Sequence, residues 1–164
     1  MPEKRVKEFL ESHNVSYETI VHRPAYTAQE TAQSAHIGGK ELAKIVMVEI
    51  DGKLAMAVLP ASGKLDLGLL KQAAGAKRVR LAHESDFEAR FPGCDAGAMP
   101  PFGNLYGMEV FVADTLAAGD RIAFNAGSHT ELIRTPYREF ERLVHPRVAK
   151  LSLGHGAARG AAVS

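Results

Sequence analysis

Two apolar runs, Ala43 to Ile50 and Lys53 to Leu59, flank the dipeptide Asp51-Gly52, and no other feature constrains the fold as strongly. Asp-Gly tolerates the positive φ angles of a two-residue type I′ turn, so the runs are expected to pair as an antiparallel hairpin at the centre of a sheet. A chain of 164 residues with 46% hydrophobic content is the size of one globular domain. Folding is expected to remove roughly two-thirds of its unfolded surface.

The flanking segments supply helices and further strands. Pro2, Val6, Phe9 and Leu10 have helical spacing with Asn14 placed to end the helix, and Val15, Tyr17, Thr19 and Val21 then alternate as in a strand. Thr27-Ala28-Gln29-Glu30 has the form of a capping box, and Gly38-Gly39 closes the short helix it opens. Asp66 is placed to cap a helix that Gly75 stops, followed by a strand at Val79 to Ala82 and a third helix from His83 to Phe91. Strands are expected at Glu109 to Ala113, Arg121 to Ala126 and Glu131 to Thr135. Thr135-Pro136 then reads as N-cap and N1 of a helix carrying Tyr137, Phe140, Leu143 and Val144, stopped by Pro146. This order implies an α+β fold, a mixed-direction central sheet with surrounding helices. The domain is expected over 1–153, with 154–164 as a flexible Ala/Gly-rich tail.

Charge and cysteine usage remove several function classes. Charged residues make up 24% and balance to a formal net charge of +1, so a polyanion partner would have to meet a local patch. Lys71, Lys77, Arg78 and Arg80 form such a basic stripe, open to reading as a tRNA contact or as a solvated face. No apolar run reaches the ~20 residues needed to cross a bilayer. The lone Cys94 has no partner for an internal disulfide, and Met1 to His13 reads as an amphipathic charged segment rather than a signal peptide. No membrane association and a cytoplasmic location are the expectations.

Familiar catalytic signatures are missing. The seven histidines are scattered without HExxH or paired CxxC spacing, so no metal site is expected. There is no GxSxG elbow and no phosphate-binding GxxxxGK[ST] loop. The tail's GxGxxxG spacing lacks the βαβ unit of a dinucleotide site, and no cofactor is expected. Cys94 has no neighbouring base to activate it, which favours a small loop residue over a nucleophile.

Two features remain. Pro92 to Gly107 is the longest irregular connection, and within it Gly97-Ala98-Met99-Pro100-Pro101-Phe102-Gly103 brackets a few backbone amides with glycines and prolines. Such a segment can aim fixed donors at a carbonyl oxygen, or can simply be a rigid turn. Lys44 begins the otherwise apolar run Ile45-Val46-Met47-Val48, where it can meet a phosphate or an ester beside a pocket, or snorkel to water.

Leu42-Ala43-Lys44-Ile45-Val46, then Gly97-x-x-x-Pro101-Phe102-Gly103, then Ala126-Gly127-Ser128-His129, occur in the order found in YbaK-type proteins. The chain resembles that family from about Val15 to Val144. The family includes free-standing aminoacyl-tRNA deacylases and the editing insertion of some bacterial prolyl-tRNA synthetases. Pro100 departs from the more usual threonine or serine.

The resemblance implies a deacylase that removes a small amino acid (alanine, cysteine or serine-like) from tRNA(Pro) or a related tRNA. Its partner would be the aminoacyl-tRNA acceptor end, with a synthetase as a transient partner and no role for DNA. It assigns catalytic roles to Lys44 and to the Gly97, Ala98, Met99 and Pro101 loop. There the backbone would hold the ester carbonyl while a free ribose hydroxyl of the substrate helps activate water. Tyr26, Phe102 and His129 are assigned to substrate binding. Tyr26 is equally readable as a core-edge residue, and His129 as a polar residue ending a turn. A non-catalytic tRNA-end or synthetase-docking module, or a free amino-acid sensor, are the competing functions.

Overall fold

The computed structural model describes residues 2–23, 28–35, 37–91, 94, 98–153 and 162–163. Helix α1 (Pro2–Ser12) ends just before Asn14, which takes φ 58°, and β1 (Glu18–Val21) follows. Helix α2 (Ala28–Ala35) occupies the expected place, while Thr27 of the capping box lies outside the described residues. The hairpin forms as its turn dictates: β2 (Ala43–Ile50) pairs with β3 (Lys53–Pro60) across Asp51 at φ 48° and Gly52 at φ 85°.

After β4 (Leu65–Asp66), the Asp66 carboxylate accepts from the Leu69 amide at 2.9 Å and opens α3 (Leu67–Ala74). Gly75 closes that helix at φ 63°. Strand β5 (Val79–Leu81) leads to α4 (Glu84–Phe87). This helix is shorter than expected, because Phe87 swings to φ −129° and the chain continues as a 3-10 turn, Glu88–Arg90. Next come β6 (Glu109–Ala113), α5 (Asp114–Ala117), β7 (Arg121–Asn125), β8 (Glu131–Pro136), α6 (Tyr137–Val144) and β9 (Arg147–Ala149). The expected capping of α6 is corrected by one residue. Pro136 is the N-cap, and the Thr135 hydroxyl instead donates to the Ser16 carbonyl at 3.0 Å, tying β8 to the segment before β1. Within the segment read as a tail, Ala162–Val163 forms β10 and pairs with β4.

The fold is α+β, with strands running in mixed directions. A five-stranded sheet has the order β5-β2-β3-β6-β9, antiparallel through the hairpin and parallel from β3 to β9. A second sheet, β1-β8-β7, is antiparallel. The two meet at one parallel bridge, Leu42 to Ala123, supported by the Ala123 amide donating to the Glu41 carbonyl at 3.0 Å.

Three apolar clusters fill the space between the layers. The largest joins α1, α6, Phe102, Phe124 and one face of β2 and β3, including Met47 and Met56. The second lies on the opposite face, where Val48, Leu59 and Phe111 meet Leu70 of α3 and Leu151. The third is small and alanine-rich: Ala32 of α2 and Ile37 cover Leu42, Ala61, Ala123 and Leu132, with Ile20 beside them.

Candidate active site

The two strands leave the parallel Leu42 to Ala123 bridge in the same direction, so Lys44 and Asn125 each stand two residues past it. Side chains alternate along a strand, and Leu42 and Ala123 both pack under α2. Lys44 and Asn125 therefore share that face, where the apolar cluster gives way to polar groups. Burial lowers the Lys44 pKa from the ordinary lysine value, and the nearby cation of Lys64 pushes it the same way.

The loop that follows β7 completes this end of the molecule. The Gly127 amide donates to the Ala98 carbonyl at 2.8 Å and fastens the Ala126 to His129 turn to the proline loop. Ala98 and Met99 are buried, as are Pro100, Pro101 and Gly103. Gly103 has no room for a side chain, since a Cβ would stand 2.7 Å from Val110 Cγ2 and 2.8 Å from the Met108 carbonyl. A 3-10 turn, Gly103–Tyr106, continues from it.

His129 is buried beside the same turn. His22 extends β1, its amide donating to the Thr130 carbonyl at 2.9 Å. Ile20, two residues before His22, packs on the α2 cluster, so alternation turns His22 to the same face as Lys44 and Asn125. Thr31 of α2, next to Ala32 of that cluster, is also buried. Two acceptors in this neighbourhood, His22 Nε2 and Asn125 Oδ1, are buried without a hydrogen-bond partner. The arrangement joins a desolvated cation and unsatisfied acceptors on one face to a rigid backbone loop, the ingredients for holding a polar, partly charged ligand.

The structure brings Ala98, Met99, Pro101 and His129 into one constellation through the Gly127 to Ala98 link, with Lys44 on the strand alongside. Gly97 and Tyr26 lie outside the described residues. Phe102, assigned from sequence to substrate binding, is fully buried among Phe9, Phe124 and Phe140 with ring centroids 5.2 to 6.0 Å away. Its ring anchors the loop to the core. Cys94 packs against that same core.

The basic stripe is elsewhere. Arg80 pairs with Glu49 across β5 and β2, five residues from Lys44 and so roughly 17 Å along the strand. Its guanidinium sits 2.5 Å from the Glu49 carboxylate, and the Lys77 and Arg78 amides donate to the Asp51 carboxylate at 3.0 and 2.8 Å. A depression at that end is lined by Ile50, Lys53, Phe111 and Arg147. Arg147 is already engaged by Glu109 and the Ala73 carbonyl, each at 2.9 Å. Among the described residues no group of three or more His, Cys, Asp or Glu could hold a metal ion, and no helix is long and apolar enough to cross a membrane.

The motifs read from the sequence include neither Asn125 nor His22. The signals were present. Asn125 is the one amide at the end of the apolar stretch Ile122-Ala123-Phe124, and His22 continues the alternation through Ile20.

A sequence profile of the aminoacyl-tRNA editing domain matches residues 22–143. The fold is similar to that of a candidate trans-editing enzyme for prolyl tRNA synthetase, with a TM-score of 0.77 and 22% identity over 93% of this chain and 98% of that one. A hypothetical protein of known structure gives 0.79 and 21% over 91% and 99%. A candidate signal transduction protein from Marinobacter aquaeolei VT8 gives 0.70 and 16% over 91% of this chain and 30% of that one. These structural likenesses speak for the fold. The profile runs from His22 at the polar face, through Lys44 and the proline loop, to Leu143 of α6, and the chain belongs to the aminoacyl-tRNA editing domain family.

Proposed function

We propose that this chain is a trans-editing deacylase that hydrolyses the ester of a small amino acid, alanine foremost, on tRNA(Pro) or a related tRNA. The observation that carries the reading is the hydrogen bond from Gly127 to Ala98, which joins the proline loop to the Gly-Ser-His turn beside the face that bears Lys44. In this reading the amides around Gly97, Ala98 and Met99 receive the oxyanion that develops on the ester carbonyl. A buried loop held at both ends needs little reorganisation to do so. Water attacks with help from the free ribose hydroxyl, and the carbonyl's electron pair returns to expel the ribose oxygen, which takes up a proton. Lys44 neutralises the terminal phosphate or orients the ribose. A preference for a small side chain would rest on steric exclusion, since one methylene in an apolar pocket is worth about 1–3 kcal/mol.

The reaction takes place in the cytoplasm, with the acceptor end of the tRNA as substrate and a synthetase as an occasional partner. The test is release of labelled amino acid from a panel of mischarged tRNAs, led by alanyl-tRNA(Pro), by wild type, Lys44→Ala and Gly97→Ala. Turnover by wild type that both substitutions abolish supports the deacylase. Binding of charged tRNA without turnover would point to a docking module, and binding of free amino acid alone to a sensor.

A further inference from the structure

We infer that His22 is a substrate-binding residue of the site, gripping the aminoacylated adenosine through Nε2, which accepts a hydrogen bond from the substrate. This inference rests on the reading of the polar face beside the proline loop as an aminoacyl-ester site.

Only 8% of His22 is exposed. Its Nδ1 lies 2.7 Å from the Arg23 carbonyl oxygen. A carbonyl oxygen only accepts, so Nδ1 carries the proton of the neutral ring and Nε2 presents a lone pair. That lone pair is buried with no donor to meet it. A buried acceptor without a partner opposes folding, and one kept in a native structure calls for an explanation. A ligand that supplies the donor is one.

A second acceptor narrows the chemistry. Asn125 Oδ1 is also buried and unpartnered. Asn125 pairs with Leu132 on β8, and His22 is bonded to Thr130 two residues earlier on the same side of the molecule. Both stand at one end of the β1-β8-β7 sheet and on its α2 face. Two orphan acceptors there match a ligand rich in donors, whereas Lys44, which only donates, matches an anion or a carbonyl. The aminoacylated adenosine satisfies both demands: the ester carbonyl and phosphate accept, and the α-ammonium and the free ribose hydroxyl donate. No proton transfer or covalent step at His22 is required.

The test uses the full chain with 15N-labelled histidine and glycine and two stable amide probes, 3′-deoxy-3′-(L-alanylamino)adenosine and its N-acetyl derivative. In the free protein the two His22 nitrogens should show one protonated and one unprotonated signal. Binding of the free-amine probe is expected to shift the Nε2 signal. If the N-acetyl probe leaves Nε2 unmoved, the charged ammonium is the donor; if it shifts Nε2 equally, the donor is the ribose hydroxyl or an N–H that acetylation leaves in place. His22→Phe should weaken binding of the free-amine probe by about tenfold, as expected for one lost hydrogen bond. His22→Gln, which keeps an acceptor near the Nε2 position, should restore most of it.

Binding that perturbs the Gly127 amide but leaves Nε2 unchanged would overturn the inference, as would a failure of both probes to bind. Because the signals are read on wild type, a His22→Phe variant that does not fold leaves the test intact. Wild-type turnover of mischarged tRNA is measured separately. Its absence alongside an Nε2 response would sink the deacylase and leave His22 as a binding residue.

Discussion

The Gly127 amide donates to the Ala98 carbonyl at 2.8 Å, and Gly127 makes the turn at φ 116°, a conformation that other residues rarely adopt. Gly127→Pro removes the donor and cannot take that φ. The variant should retain the sheets but release the loop. Hydrogen exchange at the Ala98 and Met99 amides should accelerate, and deacylation should fall on the order of 100-fold, the scale of a misplacement of ~1 Å in a site. Unchanged exchange with unchanged turnover would show that this link does not hold the loop.

Gly103 tests the other end of the loop. Because an added Cβ would meet Val110 Cγ2 at 2.7 Å and the Met108 carbonyl at 2.8 Å, Gly103→Ala must push the loop away from β6. Overpacking of this kind costs about 1–3 kcal/mol, readable from the denaturation midpoint. An alanine variant as stable as wild type would contradict the close approach.

Lys44 should trade stability for activity. Its folded pKa is lowered, by burial first and by Lys64 second, from 10.5. Its charged form is therefore less favourable in the fold than in the unfolded chain. The penalty is complete below the folded pKa and is relieved as pH rises from that value towards 10.5, where the unfolded chain holds the extra proton. Lys44→Met should be more stable than wild type at neutral pH, by a few degrees in Tm, with the advantage shrinking in alkaline buffer. It should also lose deacylation. A Lys44→Met variant less stable than wild type at pH 7 would refute the desolvation account.

Phe102 separates a core role from a substrate role. With its ring packed on Phe9, Phe124 and Phe140, Phe102→Ala should cost about 3–5 kcal/mol. Phe102→Leu should lower Tm and leave KM for the charged tRNA within about twofold, since the ring does little uniform binding. A selective rise in KM at unchanged Tm would return Phe102 to the pocket wall.

The basic stripe predicts a salt experiment. If Lys71 and Lys77 meet phosphates, each alanine substitution should reduce the slope of log affinity against log salt by about 1. Arg80→Ala should change that slope less, because its guanidinium is already paired with Glu49 at 2.5 Å and stands 3.9 Å from Asp86. Equal slopes in all variants would assign the stripe to the solvated surface.

Local chemistry was readable without coordinates wherever a few neighbouring residues decide the backbone. The Asp51-Gly52 turn, the Asp66 cap and Gly75 stop of α3, and the amphipathic spacing of α6 follow from side-chain and backbone preferences within a turn or two. The ordered appearance of Lys44, the proline loop and the Gly127 to His129 turn was equally legible, because motif order is a property of the chain itself.

What the tertiary structure alone decided depends on contacts between distant segments. That the strands divide into two sheets meeting at Leu42 and Ala123 cannot be read from either strand, since the pairing joins residues far apart in the chain. This bridge puts Asn125 and Lys44 two residues past a shared point and gives a strand-end amide its place on the polar face. Ile20 packs under α2, and alternation along β1 then turns His22 to the same side. Phe102 shows the converse. Its motif suggested a pocket, but apolar burial is driven by area removed from water, and the aromatic cluster of α1, β7 and α6 claimed the ring for the core.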